Sequence, residues 1–108
     1  MGALDATVIA HLIRRNRSLT RLDLSWNSEL SSGATALAAA IAESRSLRDV
    51  DVSETSVGSF AVDGLCRAIN DNRALTRLNV RCAGLGAEAR TALERAAARR
   101  AGSLELIV

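Results

Sequence analysis

The stretch Ser18–Asn27 reads SLTRLDLSWN, with leucines at positions 19, 22 and 24 and an asparagine at 27. That spacing matches neither a strand period of 2 nor a helix period of 3.6. It returns as SLRDVDVSET from Ser46 and as ALTRLNVRCA from Ala74, each start 28 residues after the last. A fourth start, SLELIV, follows at Ser103 after a step of 29. One match to LxxLxL would mean little in a chain this rich in Leu and Ala. Three in register, with the segments between them also in register, mark a repeat array.

The repeated stretches predict short strands over 19–25, 47–53, 75–81 and 104–107, with helices between them. Leu37 and Ile41 share one helix face, and Leu65 and Ile69 stand 28 residues further on. Leu93 and Ala97 continue the series, and Ile9 and Ile13 precede it. The helices are expected over 31–44, 59–70 and 87–100, with one more at the N-terminus whose own strand is missing. Ser31, Ser32 and Ser59 are expected N-caps. Gly58 and Gly86 share one repeat position in the strand-to-helix turn. Strand, turn, helix and return at a constant step stack the strands in parallel, with the helices behind. Leu22 and Leu24 then point into one core, and Leu19 enters it a bend earlier. The trios Leu47/Val50/Val52 and Leu75/Leu78/Val80 do the same. Each such burial contributes roughly 1.5–3 kcal/mol. One layer cannot cover its own apolar face, so its neighbours must.

The pattern LxxLxLxxN, followed by a helix and a 28–29-residue period, resembles the leucine-rich repeats of the ribonuclease-inhibitor-like subfamily. The resemblance spans nearly the whole chain. It implies an α/β fold: a short right-handed solenoid with a parallel sheet on the concave side and helices on the convex side. Residues 1–108 would form one leucine-rich repeat domain, about three full repeats with a partial one at each end. The asparagine place holds Asn27, then Thr55, then Ala83. The family's asparagine ladder is therefore broken, and the turns after the second and third strands are expected to be looser.

Composition narrows the function. With 108 residues, 48% apolar and only Trp26 and Phe60 aromatic, the core must be aliphatic and thin-layered. The net charge is +2, too small to name a partner, and all 14 basic residues are arginine. Cys66 and Cys82 fall on opposite sides of the expected layer, so two free thiols in a reducing, cytoplasmic setting are expected. No signal peptide is expected, because no basic segment precedes an apolar run at the N-terminus, and no apolar run approaches about 20 residues.

Binding is expected on the strand columns. Arg21, Asp49 and Arg77 form one, Asp23, Asp51 and Asn79 the next, then Ser25, Ser53 and Arg81. Trp26, Glu54 and Cys82 follow at the strand exits. The first column is either a self-satisfying charge ladder or part of a docking face for a protein partner. Asp23 beside Asp51 places like charges in register, which suits a basic partner. No histidine joins these columns, so no catalytic residue, metal ligand or cofactor is assigned, and the protein is expected not to be an enzyme. Trp26 is the expected interface anchor. His11 is expected on a side face of the first helix. Arg17, Arg45 and Arg73 recur near helix C-termini, where cations complement the helix dipole; as a basic stripe they would attract phosphate or an acidic protein. Nucleic acid is disfavoured, because no aromatic interleaves those arginines.

Four strands of about five residues give a face of roughly 300 Å² against the roughly 800 Å² each partner buries in a standard interface. The last strand is also expected to leave Leu104, Leu106 and Ile107 at an open edge. The alternative expectation is therefore a structural fragment of a longer repeat protein, self-associating through its terminal repeats.

Overall fold

The computed structural model describes residues 6–26, 33–55, 57–58, 61–100 and 102–108. The elements run α1 (Ala6–Arg15), β1 (Arg21–Asp23), α2 (Ala34–Glu43), β2 (Asp49–Asp51), α3 (Val62–Asp71), β3 (Arg77–Asn79), α4 (Gly86–Arg99) and β4 (Glu105–Ile107). The strands form one parallel sheet in the order β1-β2-β3-β4. Its register follows the repeat: Leu22 pairs with Val50, Val50 with Leu78, and Leu78 with Leu106.

Each strand has three residues, shorter than the sequence predicts. The backbone bonding nevertheless covers the expected span. Arg48 N–H donates to Thr20 O at 2.8 Å, Leu24 N–H to Asp51 O at 2.8 Å, and Trp26 N–H to Ser53 O at 3.1 Å. The next pair of repeats copies this through Thr76 to Arg48, Val52 to Asn79 and Glu54 to Arg81. The chain bends at both ends of each strand while its inter-repeat bonds continue.

The predicted inward residues make the core. Leu47, Val50, Leu75 and Leu78 are fully buried, and Leu37, Ile41, Leu65, Ile69 and Leu93 meet them from the helices. Burial falls toward both ends: Leu19, Leu22, Leu104 and Leu106 are only partly buried. This gradient follows from stacking, because an end layer has one neighbour. In α4 Ala96 is buried, whereas the expected Ala97 is only partly so.

Helices α2 and α3 approach closely because Ala and Gly face each other. A Cβ added at Gly64 would lie 2.7 Å from Ala38 Cβ and 3.3 Å from the Ala38 carbonyl carbon. The positions that start the later helices are Gly33, Ala61 and Leu85, and none supplies a side-chain cap. The expected caps Ser31, Ser32 and Ser59 lie outside the described residues, as do Asn27 and Phe60. Gly58 lies in the strand-to-helix turn with φ of 80°, and Gly86, with φ of 78°, is the first residue of α4; in both a Cβ would be strained.

The two turns expected to be loose are closed. Thr55 is buried and its hydroxyl donates to Val52 O at 2.5 Å. Ala83 is buried, and its N–H donates to Val80 O at 3.2 Å. A hydroxyl or a methyl fills the site without an asparagine.

Polar ties instead recur at the opposite end of the repeat, at positions 16, 44, 72 and 100. Asn16 Oδ1 accepts from Ser18 N–H and Leu19 N–H at 2.9 and 2.8 Å. Ser44 Oγ accepts from the corresponding Ser46 and Leu47 amides at 3.4 and 3.2 Å. Asn72 Oδ1 accepts from Ala74 and Leu75 at 3.0 and 3.1 Å, and its Nδ2 donates back to Ile41 O at 2.7 Å. Arg100 donates to Ile69 O at 3.0 Å and also to Leu75 O. Burial lowers the Arg100 pKa from the usual arginine range. Asn72 and Arg100 thus stitch each repeat to the one before it.

Candidate functional site

The sheet face opposite the helices carries the predicted columns. Arg21 lies in register with Asp49, Asp49 with Arg77, and Arg77 with Glu105. The charges alternate and pair: Arg21–Asp49 at 3.7 Å, Arg77–Asp49 at 3.2 Å and Arg77–Glu105 at 3.6 Å. Glu105, a member the sequence reading omitted, closes the column. Arg21 and Glu105 are exposed and Asp49 and Arg77 half-buried, and such surface pairs contribute about 0–1 kcal/mol each. The ladder satisfies its own charges and sets a fixed pattern of polarity across the face.

In the next column Asp23 lies in register with Asp51, and each carboxylate also accepts from a serine two residues on. Asp23 Oδ1 accepts from Ser25 Oγ at 2.6 Å and from Ser25 N–H at 3.0 Å. Those bonds, the hydroxyl first, hold its carboxyl below the ordinary aspartate range. Asp51 makes the same pair of bonds to Ser53 at 2.6 and 2.9 Å. Asn79 accepts from Arg81 N–H at 3.1 Å. These bonds close the strand exits. Among the described residues no three of His, Cys, Asp and Glu cluster as a metal site.

The strand exits hold the most unusual backbone. Trp26, Glu54 and Cys82 all have positive φ, at 65°, 54° and 55°. The solenoid imposes this at every repeat, and an ordinary L residue there costs roughly 1–2 kcal/mol. Asparagine tolerates the conformation better. Glu54→Asn should therefore raise stability by about 0.5–1 kcal/mol in urea melts, with an unchanged m-value. A loss of stability would show that Glu54 has another structural role.

Trp26 is 78% exposed at this place. The ring does not fold back over the first repeat. Arg81 is exposed at the far side of the same face. Cys66 on α3 and Cys82 beyond β3 are free thiols. Burial, with Asp63 nearby, pushes the Cys66 thiol up. His11 is exposed on α1.

A family model described as a leucine-rich repeat matches residues 15–38. The solved structure of the leiomodin-1 actin-binding site 2 superposes with a TM-score of 0.72 at 13% identity, over 94% of this chain. The fold is a short leucine-rich repeat solenoid. Its stacked parallel strands alternate with helices in the manner the period demands. The solenoid spans 60% of that neighbour's length. No curated protein matches the chain. No described helix is long and apolar enough to cross a membrane.

The sequence reading missed the 16/44/72/100 column, though its signal is present. Asn, Ser, Asn and Arg recur at a 28-residue step immediately before each LxxLxL stretch.

Proposed function

We propose that the solenoid is a non-catalytic protein-interaction module that grips a protein partner through its sheet face and the adjoining strand exits. The observation that carries this reading is Trp26. It is 78% exposed and stands at a position of positive φ where Gly or Asn would fit better. The folded chain gains little burial from the ring, whereas a partner covering it would gain a large apolar anchor. Around it, Arg21, Asp23, Asp49, Asp51, Glu54, Arg77, Asn79 and Arg81 supply a polar rim of both signs. The sheet face alone is smaller than a standard interface, so a partner must also cover the exits. The neighbour of the same fold is named as an actin-binding site, which supports a protein as the class of ligand. Two free thiols suit a reducing, cytoplasmic setting. The resemblance to the ribonuclease-inhibitor-like subfamily rests on the LxxLxLxxN pattern, the helix that follows it and the 28–29-residue period.

The test is affinity capture from a nuclease-treated lysate with the parent and a Trp26→Ala/Arg81→Glu variant, read by mass spectrometry. A protein retained by the parent and lost by the variant is the expected result. Identical profiles would sink the reading.

One observation favours a second reading, assembly through the open solenoid ends. Val8 and Leu12 stand four apart on the outer face of α1 and are 55% and 61% exposed. On that reading the same capture returns only the chain's own copies, and Leu12→Glu abolishes it.

A further inference from the structure

We infer a second binding site, separate from the sheet face: a basic groove along the starts of the strands that takes an acidic peptide segment. The groove measures about 530 Å³ and is lined by Arg17, Arg45, Arg48 and Arg73, with Thr20 and Thr76 beside them. Arg17, Arg45 and Arg73 occupy one repeat position, 28 residues apart. Parallel strands at about 4.8 Å spacing therefore hold the row as near neighbours.

The molecule contains its own control for this row. On the sheet face the Arg21–Asp49–Arg77–Glu105 column alternates in sign and pairs throughout. The groove row repeats one sign at three successive steps, an arrangement that repels itself. None of its four arginines makes an ion pair or side-chain hydrogen bond among the described residues, and all four are exposed. The nearest carboxylates on the helix side are engaged elsewhere, Glu43 with Arg14 at 3.3 Å and Asp71 with Arg67 at 3.8 Å. The helix dipole accounts for positive charge near each helix end. It does not account for Arg48, which enters from the strand side and joins the same groove.

Chemistry and shape select the ligand. Guanidinium forks bind carboxylates in a planar, bidentate way. An extended peptide presents alternate side chains on one face at roughly 7 Å intervals, within reach of long arginines on successive strands. The groove lining lacks an aromatic residue on which a nucleic-acid base could stack.

The test is fluorescence anisotropy with fluorescein-labelled hexaglutamate at low salt. Hexaglutamine and an oligothymidylate of equal charge serve as comparison probes. The variants are Arg17→Gln/Arg45→Gln/Arg73→Gln and, as a control of equal type, Arg90→Gln/Arg95→Gln on α4. We expect the parent to bind hexaglutamate and not hexaglutamine, and the groove variant to weaken binding at least ten-fold. Arg45→Gln alone should weaken it at least three-fold, and the α4 variant should bind as the parent does. Thermal melts of all variants should match, since the substituted arginines make no side-chain bond. Unchanged binding by the groove variant would overturn the proposal. An equal loss in the α4 variant would reduce it to diffuse net charge, and tighter binding of oligothymidylate would make the site one for nucleic acid. Trp26 and Arg81 are untouched, so failure here leaves the sheet-face reading standing, and the reverse holds.

Discussion

Asn72→Ala should destabilise the protein by about 2–4 kcal/mol, a large share of the roughly 5–15 kcal/mol typical of a domain. The side chain is buried and serves three backbone groups at once. Truncation leaves Ile41 O without its donor and takes the acceptor from Ala74 N–H, each cost being a desolvation penalty rather than a lost surface bond. Position 16 supplies the comparison. Asn16 makes the same two acceptor bonds in an exposed setting and, among the described residues, no bond corresponding to that from Asn72 to Ile41. Asn16→Ala should cost only about 0.5–1.5 kcal/mol, because water replaces its bonds. Urea denaturation of the two variants measures the difference directly. Equal losses at 16 and 72 would mean that the bond from Asn72 to Ile41 contributes nothing.

Gly64→Ala should cost about 1–3 kcal/mol, against the usual expectation that alanine stabilises a helix by roughly 1 kcal/mol over glycine. The new methyl would meet Ala38 Cβ at 2.7 Å, and neither partner has a rotatable group to move aside. The helices themselves must separate, and α2 is buried between α1 and α3 along six of its residues. The double variant Ala38→Gly/Gly64→Ala removes the collision. The pair should therefore show a coupling of about 1 kcal/mol or more in a double-mutant cycle. Additive losses would place the cost elsewhere than in the α2–α3 contact.

Much of the fold was legible because the repeat is a physical unit. A 28-residue step fixes which leucines share a layer, and strand order and register follow from it. The helix pairs Ile9/Ile13, Leu37/Ile41 and Leu65/Ile69 were readable for the same reason, since each faces the core at a four-residue step. Strand length was not, because the chain bends where the inter-repeat bonds continue. The register of Asp23 with Asp51 was readable from the repeat, whereas their bonds to the serines two residues on were not, since those depend on the turn that follows each strand. The loose turns at Thr55 and Ala83 were inferred from a missing asparagine, but packing closes them. The candidate site was legible as columns of positions. What the sequence could not give was the exposure and backbone of Trp26, which depend on how the turn after β1 projects the ring.

The single tryptophan reports directly on whether a partner covers the strand exits. Chain labelled with 5-fluorotryptophan gives one fluorine resonance, and an unlabelled partner recovered by capture adds none. A resonance at a solvent-exposed position is expected, shifting or broadening as the partner is added, in step with complex formation. A complex that forms while the resonance stays unchanged would contradict the assignment of Trp26, and with it the binding face proposed for this solenoid.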